Sequence, residues 1–265
     1  MRPRPWRFTE RDPVRVVSLC PSLTETVADL GAGSALVGCT KFCVHPAGLV
    51  ERLTRVGGTK DPRVERVLEL QPDLVLMNEE ENRREDAEAL AAAGIECHVS
   101  FPKRVEDVPA LIDELGQRLG VAERGAELSA ELRAELEGVA PEGFAPRVAY
   151  LIWRKPWMSV NSNTFISSLL TAGGLANALA DHDERYPNLE TDDLIALDPD
   201  RVLLSSEPFP FADKHRDELI AATGWDADRF VYVDGERLSW HGTRCLQGVR
   251  YARELRALFS SAREV

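Results

Sequence analysis

With 265 residues, 44% hydrophobic and 29% charged, the chain has the composition of a globular protein of one large or two moderate domains, not a disordered or fibrous one. Its formal net charge of −12 argues against nucleic acid or an anionic membrane surface as the main partner. No apolar run nears the ~18 residues needed to span a bilayer, so no membrane insertion is expected.

The opening MRPRPWRFTERDP, residues 1–13, reads as an N-terminal extension. It carries basic residues but neither the apolar stretch nor the small-residue cleavage site of a signal peptide. If Met1 is the native start, the chain is expected to be cytoplasmic; a removed signal sequence would make it periplasmic or cell-surface. Cys20, Cys39, Cys43, Cys97 and Cys245 are an odd set without disulfide-framework spacing, which predicts reduced thiols.

Val14 to Leu19 is a β-branched apolar run that suits a buried parallel strand. Ser22 and Glu25 form a capping-box pattern for the next helix, which Gly31 and Gly33 end. A strand at Ala35 to Cys39 runs into the turn-rich TKFCVHPAG. A loop from Gly57 to Pro62 leads to a helix (Arg63 to Leu70), a turn at Gln71-Pro72-Asp73 and a strand (Leu74 to Met77). Helix Arg84 to Ala93, strand Ile95 to Val99 and helix Val105 to Leu119 complete an α/β alternation, 14–120.

Val121 to Gly138 is amphipathic, with Leu128, Leu132 and Leu136 on a stripe that Val121, Ala122 and Ala126 extend, and Gly138 and Pro141 supply a stop. We assign 121–140 as a linking helix and 141–265 as a second lobe. There the order restarts: strand Arg147 to Trp153, helix Asn163 to Thr171, helix from Thr191 to Ala196, strand Arg201 to Leu204, a helix within Phe209 to Ala222, strand Phe230 to Val233 and helix Thr243 to Phe259. ERVLELQPDLVLM (65–77) and DDLIALDPDRVLL (192–204) match as helix, Leu-x-Pro-Asp turn and strand, which supports two lobes of similar architecture.

RVVSLCPSLTETVADLGAG, VGGTKDPRVERVLELQPDLVL, PWMSVNSNTFISSLLTAGGLANAL, YPNLETDDLIALDPDRVLL and WHGTR, in this order around a central helix, resemble the helical-backbone (class III) substrate-binding proteins of ABC importers, the group of the vitamin B12- and ferric-siderophore-binding proteins. The resemblance runs from Val14 to about Phe259. It implies two Rossmann-like α/β lobes with mostly parallel sheets, joined by one long helix and holding ligand in the cleft between them. It also implies no catalytic activity and a small-molecule ligand: a metal chelate or a corrinoid- or siderophore-like compound such as cobalamin, haem or a ferric chelate. In the B12-binding members an aromatic follows the proline after the first strand of lobe two, and Trp157 matches it. Tyr186-Pro187 matches a second aromatic. His45-Pro46 replaces a first-lobe tyrosine, and Thr59 and Asn78 replace two tryptophans. Glu65 and Asp192 match the acids that dock importer-type members on an ABC permease; first-turn acids favoured by the helix dipole are the simpler account. A monomer is expected.

Cys43 and His45, with Cys39, carry donors that suit a transition metal, although one loop offers at most three ligands. Without a metal, Lys41, Phe42, Cys43 and His45 are expected to line the cleft. Glu79 and Glu80 at a strand end suit a cation or a donor on a ligand, balanced by Lys60 and Arg154. Trp153 is expected in the core, and Trp157 is the best cleft candidate among the aromatics that include Phe209, Phe211 and Trp240. His241 could ligate a metal within a bound chelate and Arg244 could pair with ligand oxygen; Ser22 and Glu207 complete the expected ligand-binding set. An enzyme using Ser22, His45 and Glu79, or Cys43 with His45, is the alternative, but no nucleophile elbow, P-loop or dinucleotide fingerprint is present.

Overall fold

The computed structural model describes residues 14–138 and 144–261, and in it the short apolar runs become two parallel sheets. The N-terminal extension and the Pro141 stop fall outside the described residues. The chain divides into two compact units: 14–101 with 114–125, and 102–113 with 126–261. Among the described residues no helix is long and apolar enough to cross a membrane.

The first unit alternates β1 (Val16–Ser18), α1 (Pro21–Asp29), β2 (Leu36–Cys39), α2 (Ala47–Val50), β3 (Thr54–Arg55), α3 (Val64–Glu69), β4 (Leu74–Asn78), α4 (Arg84–Ala92) and β5 (Glu96–Ser100). Its five strands run parallel in the order β3-β2-β1-β4-β5. Val17, Leu19, Val75 and Met77 pack with Val67 and Leu90 of the covering helices, so β1 and β4 read as continuous apolar runs. The helix after β1 starts differently from expectation. Cys20 occupies its N-cap without a side-chain bond, and Pro21 at the first position supplies the start, because its missing N–H has no intrahelical partner to lose.

Helices α5 (Val108–Arg118) and α6 (Ala122–Glu137) follow, and the division between units falls inside both. Leu132 is buried on α6 as expected, but Ala122 and Ala126 are exposed and Gly125 and Ser129 take their places on the inner face. The reason is close approach: a Cβ on Gly116 would stand 3.0 Å from the Gly125 Cα. Asp113 accepts from Arg133 Nη2 at 2.7 Å and also from the Ser129 hydroxyl.

The second unit comprises β6 (Arg147–Leu151), β7 (Trp157–Met158), α7 (Phe165–Ala172), β8 (Ala176–Asn177), β9 (Asn188–Leu189), α8 (Thr191–Leu197), β10 (Arg201–Ser205), α9 (Asp213–Thr223), β11 (Phe230–Val233), α10 (Gly235–Ser239) and α11 (Cys245–Ser261). Its sheet runs β11-β10-β6-β8, all parallel, beside an antiparallel β7-β9 ribbon. Thr164 caps α7 by accepting from the Ser167 amide.

The paired Leu-x-Pro-Asp segments have one construction in both units. Gln71 (φ +47°) and Asp198 (φ +41°) end α3 and α8 in the left-handed region, which turns the chain sharply into β4 and β10. The following acids, Asp73 and Asp200, accept the backbone N–H of Arg15 and of Arg147 at 2.8 Å each. Those arginines in turn donate to the last helical turns, Arg15 to Leu70 O at 2.7 Å and Arg147 to Leu197 O at 3.2 Å. Each unit thus ties its first strand to the helix-to-strand turn beside it.

Candidate ligand-binding site

In an open parallel sheet, connections from neighbouring strands diverge where strand order reverses, leaving a crevice at the carboxyl ends. In the first unit that point lies between β1 and β4; in the second it lies between β6 and β10.

At the first point the NEEEN segment is folded by its two asparagines. Asn78 accepts the amides of Glu80 (2.9 Å) and Glu81 (3.2 Å) and donates to Ser100 O at 3.0 Å. Asn82 donates to Leu19 O and Thr59 O, each at 3.0 Å, and accepts from the Asn78 amide at 2.8 Å. Asn78, Asn82 and Thr59 are therefore buried framework, and Asn78 and Thr59 do not present surface as the resemblance implied. The turn leaves Glu79 and Glu81 exposed and Glu80 half-buried. Lys60 donates to the Glu80 carbonyl. Protein crowds the Glu81 carboxyl enough to raise its pKa above the usual range, against the pull of Lys60. Sequence reasoning named Glu79 and Glu80 and passed over Glu81 and Asn82; the Asn-x3-Asn spacing around the acids was the available signal.

Ser22 is buried, with its hydroxyl 3.3 Å from Cys20 Sγ, and burial, aided by Glu81, pushes the Cys20 thiol up to about 12. The loop after β2 exposes Lys41 and Phe42, with the ammonium 5.0 Å from the ring centroid, and leaves His45 half-buried. Cys43 does not line a surface. Its side chain is fully buried against Cys39 and Val50, with its sulfur 3.1 Å from the Thr24 hydroxyl and 3.2 Å from that of Thr40. Among the described residues no three His, Cys, Asp or Glu side chains gather to hold a metal ion.

At the second point the expected roles of two tryptophans are exchanged. Trp153 is 42% exposed because the chain leaves the sheet at Leu151, whereas Trp157 returns on β7 and is 7% exposed. Trp157 stacks on Phe211 at 6.2 Å, and the Arg154 guanidinium lies 4.1 Å from the Trp157 ring centroid. Arg154 is held there by Glu218, its Nε donating to Oε2 at 3.0 Å. Phe209 bridges outward, 5.5 Å edge-on from Trp153 and 5.0 Å from Phe211. The result is an aromatic step, buried at Trp157 and open at Trp153. His215 closes it from α9, 5.0 Å from Phe209, with Nδ1 accepting the Ala212 amide at 3.0 Å. That histidine and Glu218 were missed; an acceptor three residues into a helix was the signal for His215.

The remaining predicted residues divide between framework and surface. Glu207 Oε1 accepts from Trp240 Nε1 at 2.6 Å and from the Ser239 hydroxyl at 2.8 Å, so carboxylate and indole serve each other. Arg244 lies 3.5 Å from the Glu236 carboxylate and 4.9 Å from the Trp240 ring centroid. His241, expected in a surface loop, is buried edge-on to Phe165, and burial lowers its pKa to about 4, leaving it neutral. Tyr186 is exposed, with the Arg185 guanidinium 5.5 Å from its ring centroid. Glu65 and Asp192 are exposed first-turn residues of α3 and α8.

A family model described as periplasmic binding protein matches residues 16–231. The vitamin B12-binding protein of Vibrio campbellii is 28% identical over 195 residues, 72% of this chain and 70% of that protein. The periplasmic heme-binding protein RhuT from Roseiflexus sp. RS-1 in apo form superposes with a TM-score of 0.82 at 25% identity, over 95% of this chain and 99% of that one. The periplasmic vitamin B12-binding protein BtuF of Vibrio cholerae shares the fold, with a TM-score of 0.80 at 20% identity over 94% and 98%.

Proposed function

Because the chain belongs to the periplasmic binding protein family, we propose that it captures a broad, flat metal chelate of the corrinoid or haem kind at these strand-end loops. The observation that carries this reading is the aromatic step of the second unit, in which Trp153 offers an open indole braced by Phe209. Such a face favours a flat, largely apolar ligand. Relatives named for vitamin B12 and heme support the ligand class. Ligand-facing roles are proposed for Lys41, Phe42, His45, Lys60 and the Glu79–Glu81 turn on the first unit, and for Trp153, Arg154, Tyr186 and Phe209 on the second. The carboxylates of Glu79 and Glu81 accept hydrogen bonds, which favours amide-bearing corrinoids over a ligand whose polar groups are all carboxylates. The exposed acids Glu65 and Asp192 are proposed to meet an ABC permease. The relatives are periplasmic, and the expectation of a cytoplasmic protein gains no support from them.

Calorimetric titration with cyanocobalamin, haemin, a ferric hydroxamate and zinc chloride tests the reading. Saturable binding of at least one chelate is expected, weakened roughly tenfold (about 1.4 kcal/mol) by Trp153→Ala. Binding of bare zinc alone, or of none of the four, would overturn it.

A further inference from the structure

His215 stands at the closed end of the aromatic step, and a capping bond fixes which of its nitrogens carries the hydrogen. It is the third residue of α9, and its Nδ1 accepts the amide of Ala212, the N-cap, at 3.0 Å. A backbone N–H only donates, so the Nδ1 lone pair is occupied and the proton of the neutral imidazole sits on Nε2. The ring is neutral: burial first, then the cations Lys214 and Arg154, lower its pKa from the ordinary value against the pull of Glu218. Edge contacts with Phe209 at 5.0 Å and Phe211 at 5.8 Å hold its orientation. Nε2 makes no hydrogen bond among the described residues and is not sealed from solvent. Phe209 also meets the open Trp153 indole at 5.5 Å, so a broad ring seated on that indole has its rim within reach of the imidazole. On the reading that these strand ends hold a flat chelate, we propose that His215 is a specificity-determining donor: its Nε2–H bonds a carbonyl or carboxylate oxygen on the ligand's rim and does not coordinate the ligand's metal.

The wiring is the reverse of a metal ligand's. A ligating histidine gives one nitrogen's lone pair to the metal and donates its other N–H to a carbonyl or carboxylate. In His215 the inner nitrogen already accepts, and the outer one carries the hydrogen. Ligation through Nε2 would move that hydrogen to Nδ1, against the Ala212 N–H, and leave the N-cap amide without its acceptor. Protonating both nitrogens breaks the same bond. His215 therefore stays a donor at neutral pH. An oxygen acceptor is common to the amides of a corrinoid and the carboxylates of haem, so the donor selects a rim that bears oxygen over an apolar one.

Two neutral variants separate the donor from the cap. His215→Asn keeps an acceptor for the Ala212 amide, as Asp193 at the same position of α8 accepts the Glu190 amide at 2.8 Å, but its side chain stops short of Nε2. His215→Gln places an amide N–H at the reach of Nε2. Calorimetry with cyanocobalamin and with haemin should show binding weakened on the order of tenfold by His215→Asn and largely restored in His215→Gln. Weakening confined to cyanocobalamin assigns the acceptor to an amide carbonyl; weakening confined to haemin assigns it to a carboxylate. Unchanged affinity for both compounds in His215→Asn, equal weakening in the two variants, or a shifted absorption spectrum of bound haemin in either overturns the role of His215 and leaves the site itself standing. If the wild type binds neither compound, the flat-chelate reading falls and this role falls with it. Nitrogen NMR of the free wild type should show His215 as the Nε2–H tautomer, and the Nδ1–H tautomer would overturn the proposal whether or not the variants fold.

Discussion

At the end of β1 and β4 in the first unit stand a buried thiol, two bonded asparagines and a turn of glutamates; at the end of β6 and β10 in the second stand two tryptophans, two phenylalanines and an arginine. Beneath these unlike surfaces the frame repeats: Gln71 and Asp198 in the same left-handed turn, Asp73 and Asp200 on the same backbone amide, strand order reversing at the same place. A helix-to-strand turn must satisfy its backbone donors and reverse direction in few residues, and few sequences do that. The strand-end loops meet that demand in different ways, through the Asn78 and Asn82 side chains in the first unit, and their exposed side chains differ with them. The strand-end region of the first unit presents charge and hydrogen-bonding groups, and that of the second presents apolar area.

If that division holds, removing apolar area from the second unit should have the largest effect. Trp157→Ala deletes a ring that stacks on Phe211, lies in the core with Leu151 and Leu189, and holds the Arg154 guanidinium 4.1 Å from its centroid. A loss of about 3–5 kcal/mol is expected, read from the urea midpoint. A loss under about 1 kcal/mol would mean that Trp157 is surface after all, and the contrast between buried Trp157 and open Trp153 would collapse.

Acid gives a somewhat smaller effect. His241 is neutral in the folded second unit, with a pKa of about 4 against an ordinary 6.5. Between those values the unfolded chain binds a proton that the folded chain does not, so stability falls as pH drops from 6.5 toward 4 and levels off below. The contribution is up to about 3 kcal/mol. Other groups titrate in the same window, so the readout is a difference: urea midpoints at pH 7 and pH 4 for wild type and His241→Asn. The variant should lose less on acidification. An equal loss would place His241 outside the acid response.

The frame was legible and its furnishing was not. Both Leu-x-Pro-Asp turns, the parallel runs from Val14 and Arg147, and the amphipathic helix after Val121 follow from spacing alone, because backbone geometry demands those residue types. The errors fall where side-chain direction decides. Trp153 seemed to prolong an apolar strand, but the strand ends at Leu151 and the next tryptophan is carried back inward on β7. Cys43 and His45 are two apart and looked like a pair, yet the turn at Thr40 aims the thiol inward. Asn78 read as a substitute for a ligand-facing aromatic and instead binds backbone. Nothing in spacing separates an asparagine that faces ligand from one that folds a loop, since both need the same donors and acceptors.

The smallest effect tests the frame itself. Asp73→Ala and Asp200→Ala each remove one acceptor from a backbone N–H that borders solvent, Arg15 in one unit and Arg147 in the other. Water can replace part of each bond, so the loss should be about 1 kcal/mol apiece rather than the larger penalty of a buried orphan. The two positions share no partner and lie in separate units, so the double variant should lose the sum. Equal single losses would show that the two turns are one device used twice. A loss confined to one of them would mean that the other turn is held by its arginine on the helical carbonyl or by the left-handed residue alone. The repeat would then be one of sequence and shape, with the stabilising bond retained in a single unit.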